Sequence, residues 1–265
     1  MRKIKLALCV LMTTVIGIAS TAHADTLSDI KERKKLLVGI DLTFPPFGTL
    51  DANLKPVGSD VGVARMIAKD MGVELEIVQL TGPNRVPFLL TNKVDMVISS
   101  FSITAERKKV IDFSYPIALS ESVILAPKSV GIATIKDLSA KRIGLVRGNL
   151  QENLLKPIAP EGMQMVRFDD DASNAAALMS GQVDGIGTSK ELLPKLMKQD
   201  PAKQIEVKLS LGVIQQGIGI RKGDTALLNW TNQWVAANIA NGKLSDSYKE
   251  NVGYPLPDMT QYIPK

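Results

Sequence analysis

An alternation of predicted strands and helices that occurs twice along the chain constrains the fold more than any other feature of the sequence. In the first unit, apolar runs at 36–40, 74–79 and 94–98 predict strands, and an amphipathic helix is predicted over 60–71. The same order restarts at residue 142. Such alternation is typical of a mainly parallel sheet flanked by helices. We therefore predict an α/β fold with two lobes of this kind.

Two stretches of chain join the units, which predicts a two-stranded hinge. The first stretch is 123–128, and the second returns through 209–217. The predicted domain limits are 25–126 and 216–265 for lobe 1, and 127–215 for lobe 2. A chain of this length is sufficient for two lobes of ordinary domain size.

Residues 1–24 have the pattern of an export signal. Basic residues near the start precede an apolar stretch, and Ala22-His23-Ala24 fits a small-residue cleavage site. The apolar stretch is shorter than the ~18 residues that a comfortable membrane-spanning helix needs. We expect cleavage after Ala24 and a mature protein that resides in the periplasm.

The chain has one cysteine, Cys9, and one histidine, His23, and both lie in the predicted signal. A processed chain would then have no disulfide, no thiolate nucleophile, no Cys/His zinc site and no Ser-His-Asp triad. We expect no cofactor and no bound metal. An all-carboxylate metal site and carboxylate acid–base catalysis stay open at this point.

The charge of the chain does not favour a nucleic-acid partner. The 32 Lys and Arg exceed the 27 Asp and Glu, for a formal charge of +5. Three of the basic residues lie in the predicted signal, so 29 remain and the charge falls to +2. The sequence also has no dense stripe of basic and aromatic residues, and we expect no nucleic-acid binding.

A polar run at 99–107 follows the predicted strand 94–98 and is predicted to open a helix. Hydroxyl and free N–H groups at a helix N-terminus favour an anion, and Arg107 could hold two carboxylate oxygens at once. The run therefore predicts a carboxylate-binding site. The structural alternative is that its serines cap the helix and that Arg107 pairs with Glu106 or Asp112.

A second turn, Gly148-Asn149, follows the predicted strand 142–146. Ligands of α/β sheets bind beyond the carboxyl ends of the strands, where both this turn and Ser99-Ser100 fall. We expect the two turns to face each other across one cleft between the lobes.

Several short motifs occur in a fixed order along the chain. They are Gly39-Ile40-Asp41, Phe44-Pro45-Pro46-Phe47, Val57-Gly58-Ser59-Asp60, Lys93-Val94-Asp95, Ser102-Ile103-Thr104-Ala105-Glu106-Arg107, Arg147-Gly148, Gly181-Gln182-Val183-Asp184 and Gly219-Ile220-Arg221-Lys222-Gly223-Asp224. Through these motifs the chain resembles the solute-binding proteins of polar amino-acid ABC transporters, the bacterial extracellular solute-binding protein family 3, over essentially its whole mature length. The resemblance implies a type II periplasmic-binding-protein fold, with a mainly parallel sheet in each lobe and a two-stranded hinge.

The resemblance also implies roles for individual residues. Arg107 would clasp the α-carboxylate of the ligand with support from Ser102, and Ser100 would accept a hydrogen bond from the α-amino group. Asp41 matches a position that receives a basic or polar side chain, and Phe44 matches an aromatic wall. Backbone N–H groups of the second turn would reach the same carboxylate after closure. The predicted ligand-binding residues are Asp41, Phe44, Ser99, Ser100, Ser102, Arg107, Asn149, Leu150 and Ser189.

The sequence also departs from the family pattern. Ser59 stands where an aromatic residue commonly forms the opposite wall, and Leu150 stands where Ser or Thr is usual. The segment Asn84-Arg85-Val86-Pro87 resembles a signature of one branch of the family. Its role is left open, with a structural role at a helix start as one interpretation.

The most serious departure is Ser189, which falls where the family usually has the carboxylate that pairs with the α-ammonium group. A buried ammonium group without a carboxylate partner would be costly. Either another carboxylate compensates, with Asp41, Glu152 and Asp184 as candidates, or the ligand is not an ordinary α-amino acid.

The leading functional hypothesis is a receptor that is not an enzyme. It would capture an amino acid or related small carboxylate between closing lobes and deliver it to the membrane permease of an ABC transporter. We expect a monomer. The alternative is an enzyme that resembles the cyclohexadienyl dehydratases, with Asp41 or Glu152 as general acid.

Overall fold

The computed structural model describes residues 25–264, and the predicted signal at 1–24, with Cys9 and His23, lies outside the described residues. Two five-stranded sheets form the framework. The strands are β1 (Lys35–Ile40), β2 (Thr49–Leu50), β3 (Pro56–Val57), β4 (Glu74–Gln79), β5 (Met96–Val97), β6 (Ile111–Phe113), β7 (Ala118–Pro127), β8 (Arg142–Val146), β9 (Gln164–Phe168), β10 (Gly185–Ser189), β11 (Ile205–Gln216) and β12 (Gly219–Arg221).

Helices flank both sheets. They are α1 (Thr26–Arg33), α2 (Ser59–Met71), α3 (Arg85–Leu90), α4 (Ala105–Lys108), α5 (Leu150–Leu155), α6 (Asp171–Ser180), α7 (Leu193–Gln199), α8 (Thr225–Ala240) and α9 (Lys243–Val252). Across residues 25–264, no helix combines the length and the apolar character that a membrane crossing requires.

Each sheet combines parallel and antiparallel strands. The first has the order β4-β1-β5-β12-β6, in which β1 is parallel to β4 and β5, and β12 is antiparallel to both neighbours. The second has the order β11-β7-β10-β8-β9, in which β8 is parallel to β9 and β10. The predicted α/β fold with two units is confirmed, but each sheet is mixed, with two parallel and two antiparallel strand pairings, rather than mainly parallel.

The two sheets are connected by neighbouring stretches of chain. The chain leaves β6 for β7 and returns from β11 to β12, and β7 pairs with β11 along its length. Both long strands belong to the second sheet. Strand pairing alone does not set lobe limits, so the limits at 126/127 and 215/216 stay a prediction.

Helix α2 connects the core of the first sheet to the cleft. It packs on β1 and β4, and its buried apolar residues are Val61, Val63, Ala64, Ile67 and Ala68. The first turn of the helix therefore lies beside the ends of β1 and β5, where the backbone N–H of Ser100 donates to Asp60 Oδ2 at 2.7 Å.

The polar run at 99–107 does not open a helix at its serines, which corrects the prediction. Helix α4 begins only at Ala105, and its cap is Thr104, whose hydroxyl accepts from the N–H of Arg107 at 3.2 Å. Ser100 has a left-handed backbone with φ 43°, and the N–H of Ile103 donates to the carbonyl of Gln215 at 2.9 Å. These two features keep the serines out of the helix.

Candidate functional site

The two lobes touch across the predicted cleft. Arg107 Nη2 donates to the carbonyl of Gly148 at 2.8 Å, and Arg85 Nη1 donates to Asn149 Oδ1. Gly82 lies so close to the second lobe that a Cβ atom there would be 2.7 Å from Asn149 Oδ1. The expected meeting of the turn at Gly148-Asn149 with the polar run of lobe 1 is therefore present, and the cleft is closed.

Arg107 is held by backbone carbonyls and an aromatic ring. Its Nη1 donates to the carbonyl of Ser102 at 2.7 Å, and its guanidinium lies 4.7 Å from the centre of the Phe101 ring. Burial, together with the charge of Arg85, lowers the pKa of Arg107 to about 9, so the group is still cationic at pH 7.

The alternative prediction, that Arg107 pairs with Glu106 or Asp112, is wrong. Glu106 pairs with Lys109 at 2.6 Å, and Asp112 pairs with Lys222 at 2.8 Å. Among the described residues no carboxylate forms a salt bridge with Arg107. A half-buried guanidinium in this state can bind an anion without first breaking an ion pair.

A small pocket lined mainly by hydroxyl and amide side chains lies between the lobes. Its volume is about 10 Å³, roughly enough for one water molecule, so a ligand must enter while the lobes are apart. Ser122 Oγ is buried and has no hydrogen-bond partner in the part of the chain that the structure describes. The lining residues are Ser102, Ser120, Ser122, Leu150, Gln151, Ser189, Ile214 and Gln216, so three predicted site residues meet here. We call this space the hydroxyl pocket.

Asp41 and Ser99 belong to a buried network around Arg85. Asp41 Oδ1 accepts from the N–H and the hydroxyl of Thr43, and Asp41 Oδ2 lies 3.6 Å from Arg85 Nη2. Ser99 Oγ accepts from Arg85 Nε at 3.0 Å. Phe44, the predicted aromatic wall, is only 4% exposed and packs against Phe47 with ring centres 5.1 Å apart.

Asn149 serves this network through its side chain, which corrects the role expected for it. Its backbone N–H donates to the carbonyl of Val146 at 3.1 Å, so that group is used within lobe 2. Its amide accepts from Arg85 and donates to Asp171 at 3.3 Å. Burial, and after it the negative charge of Asp41, raises the pKa of Asp171 to about 7.

Two of the three carboxylates considered as ammonium partners are engaged elsewhere. Glu152 pairs with Arg167 at 2.5 Å, and Asp184 pairs with Arg142 at 2.8 Å. Because each already has a cationic partner, neither replaces the missing carboxylate at Ser189.

Sequence reasoning missed several groups that the structure brings into or beside the cleft. Arg85 had a signal in its Asn84-Arg85 motif, but the motif does not show that the guanidinium reaches the second lobe. Ser120 and Ser122 had none, because their approach to Ser189 follows from the pairing of β7 with β10. No cluster of His, Cys, Asp and Glu within residues 25–264 could hold a metal ion.

Comparison with known proteins identifies the family. The profile of the bacterial extracellular solute-binding proteins, family 3, matches residues 36–254, and the chain belongs to this family.

Three similar proteins illustrate the sequence identity and the structural similarity. The L-cystine-binding protein of Escherichia coli is 28% identical over 239 residues, which cover 89% of this chain and 90% of the relative. The solved structure of a mutant of ArgBP from T. maritima has a TM-score of 0.79 at 33% identity, over 86% of this chain and 99% of that chain. An ancestral amino acid-binding protein, described as a precursor of cyclohexadienyl dehydratase, has a TM-score of 0.79 at 31% identity with the same coverage. The type II periplasmic-binding-protein fold is thereby confirmed.

Proposed function

We propose that this protein is an exported receptor that binds an amino acid or related small carboxylate between its lobes and delivers it to the membrane permease of an ABC transporter. The observation that carries the proposal is Arg107, a half-buried cation that contacts both lobes through carbonyls and has no carboxylate partner among the described residues. A ligand carboxylate at this position would favour the closed form, because it would interact with both lobes at once.

The proposal also covers the cellular location and the oligomeric state of the receptor. We propose cleavage after Ala24, residence in the periplasm and function as a monomer. Membership of an extracellular solute-binding family supports export. The groups that meet across the cleft all belong to the two lobes of one chain, so a monomer would contain the whole proposed site.

A dehydratase activity has less support. The ancestral neighbour is itself described as an amino acid-binding protein. The two residues considered as general acids, Asp41 and Glu152, each lie beside an arginine, Arg85 and Arg167 respectively. A carboxylate next to a guanidinium is poorly placed to donate a proton.

A thermal-shift screen tests the receptor function. The chain would be unfolded, refolded without ligand, and screened against L-cystine, L-arginine, L-glutamine, L-histidine, acidic amino acids and 2-hydroxy acids. A ligand at 1,000 times its dissociation constant adds ~4 kcal/mol to the free energy of unfolding, so we expect a rise in melting temperature of roughly ten degrees. Mass spectrometry should recover the compound unchanged. Conversion to a dehydrated product would contradict the proposal in favour of the enzyme.

Substitution of Gly82 by alanine is expected to weaken ligand binding by obstructing closure. The added Cβ would lie 2.7 Å from Asn149 Oδ1 and 2.8 Å from the carbonyl oxygen of Arg147, both across the cleft. Since the clash exists only when the lobes meet, we expect a lower affinity with a nearly unchanged melting temperature of the ligand-free protein. Small-angle scattering should show a larger radius of gyration for the ligand-bound Gly82→Ala variant than for the ligand-bound parent.

The matched control is Gly131→Ala, because nothing lies within 4 Å of a Cβ atom at that position. It should leave affinity and compactness unchanged. Equal affinity in Gly82→Ala and the parent would mean that ligand binding does not require the observed contact between lobes.

A further inference from the structure

A second small cavity lies beside the hydroxyl pocket, and one wall of it is a carboxylate. Its volume is about 10 Å³, and Asp60, Ser59, Gln216 and Tyr248 are among its lining residues. Gln216 also lines the hydroxyl pocket, so the two spaces share this residue. The hydroxyl pocket is lined as well by Ser102, whose carbonyl accepts from Arg107, which connects both spaces to the proposed carboxylate site.

The two carboxylate oxygens of Asp60 have different surroundings. Oδ2 accepts from the N–H of Ser100 at 2.7 Å. No hydrogen-bond donor within residues 25–264 reaches Oδ1, although the residue is only 5% exposed. Ser100 Oγ accepts in turn from Gln216 Nε2 at 2.7 Å. A neutral amide thus occupies the space where a cationic donor could contact both Ser100 and Asp60.

The other acidic groups around the cleft already have partners. Asp41 lies beside Arg85, and Asp171 accepts from Asn149. Glu191 accepts from three hydroxyl groups, of which Ser120 is the nearest at 2.8 Å. Asp60 differs from these acids because it lines a cavity, forms no salt bridge with the described residues and has no hydrogen bond to Oδ1 from them.

A series of contacts connects Arg107 to Asp60. Arg107 donates to the carbonyl of Ser102, Ser102 pairs with Gln216 in an isolated β-bridge, and Gln216 donates to Ser100, whose N–H donates to Asp60. An α-amino acid carries its ammonium group on the carbon next to its carboxylate, so the partners of the two groups must belong to the same part of the cleft.

We propose that Asp60 is the ammonium-binding carboxylate of this receptor, and that the α-amino group of the ligand displaces the Gln216 amide from Ser100 when it binds. The proposal rests on the proposed receptor function and specifies its ligand class as α-amino acids. It also explains how the site can lack a carboxylate at Ser189, since a buried ammonium group then has Asp60 as its partner.

The protonation of Asp60 gives the proposal a pH signature. The pKa of Asp60 is raised to about 7, mainly by burial and also by the negative charge of Asp41. The N–H of Ser100 and the positive charge of Arg85 act in the opposite direction. Tyr248 of α9 is a further titratable group that faces Asp60. An ammonium group favours the ionised carboxylate, so binding releases a proton from Asp60 wherever that proton is present. Affinity should therefore fall by up to about tenfold for each pH unit below 7 and level off above it.

The experiment compares matched ligands and matched variants by calorimetry between pH 5.5 and 8.5. The probes are the best α-amino acid of the screen and its 2-hydroxy analogue, for example L-glutamate with L-2-hydroxyglutarate. The variants are Asp60→Asn, which keeps an oxygen for the N–H of Ser100, and Asp60→Asn with Ser189→Asp, which restores a carboxylate at the family position. Circular dichroism and melting curves check that both variants fold.

We expect the parent to prefer the amino acid by at least tenfold. Asp60→Asn should lose that preference and the pH dependence below 7, and Ser189→Asp should restore the preference. If Asp60→Asn fails to fold, two other measurements test the proposal. The first is the pH dependence of binding by the parent. The second is the variant Ser189→Asp alone, which should bind α-amino acids more tightly and with a weaker dependence on pH. Equal binding of the 2-hydroxy analogue by the parent, or unchanged preference in folded Asp60→Asn, would overturn the proposal while leaving the receptor function intact. Absence of binding by every carboxylate would instead refute the receptor function.

Discussion

Replacement of Arg107 by alanine is expected to reduce affinity for the ligand by roughly 30-fold to several thousand-fold, which corresponds to ~2–5 kcal/mol of binding free energy. The guanidinium is half-buried and is held in place by the carbonyls of Ser102 and Gly148. A ligand carboxylate would lose solvent on entering the closed cleft, and without Arg107 it would lose the direct cationic partner that replaces that solvent. Calorimetry with the best ligand of the thermal-shift screen measures the change.

The matched control is Lys109→Ala, two residues further along the chain. Lys109 is an exposed residue paired with Glu106, so its removal changes the charge of the same segment without changing the cleft. We expect its affinity to stay within about twofold of the parent because exposed ion pairs contribute little. Equal affinities in Arg107→Ala and Lys109→Ala would refute the carboxylate site at Arg107.

The fold was largely predictable because it depends on local patterns. Apolar periodicity at 60–71 and Gly72 at its end correspond to helix α2, whose last residue precedes a left-handed Gly72. The strand at 36–40 corresponds to β1 with one residue more. The helix start in the run 99–107 was misplaced, because the left-handed backbone of Ser100 is set by its contacts with Asp60 and Gln216 rather than by its neighbours in sequence.

The candidate site was less predictable because its groups come together through tertiary structure. The Arg107 prediction rested on a motif whose spacing is short, and the structure places that side chain where the lobes meet, in contact with the carbonyls of Ser102 and Gly148. The sequence does not show which carboxylates have cationic partners, because the two members of such a pair are far apart in the chain. Glu152 and Asp184 could be set aside, and Asp60 put forward, only from the positions of residues distant in the sequence.

Replacement of Arg85 by methionine is expected to lower the free energy of unfolding by about 3–5 kcal/mol, because it leaves a buried carboxylate without its cation. Arg85 is 3% exposed, and its guanidinium contacts Asp41, Ser99 and, across the cleft, Asn149. Asp41 Oδ2 has no hydrogen-bond partner within the described chain, so the charge of Arg85 is its only compensation there. Denaturant unfolding of the ligand-free protein measures the loss, and the melting temperature should fall by roughly ten degrees.

A double-mutant cycle separates the charge from the packing in this prediction. Asp41→Asn removes the carboxylate charge, and the pair Asp41→Asn with Arg85→Met replaces a buried ion pair by neutral groups of similar size, which is often close to neutral in its effect. We therefore expect the double variant to be more stable than Arg85→Met alone, with a coupling of ~1–3 kcal/mol. The comparison pair is Arg142 with Asp184, a partly exposed salt bridge in which Asp184 keeps contact with solvent, so Arg142→Met should cost less stability than Arg85→Met. If Arg85→Met is no more harmful than Arg142→Met, then Asp41 needs no cation in the folded protein, and it rather than Asp60 becomes the carboxylate that is free to receive a positively charged ligand group.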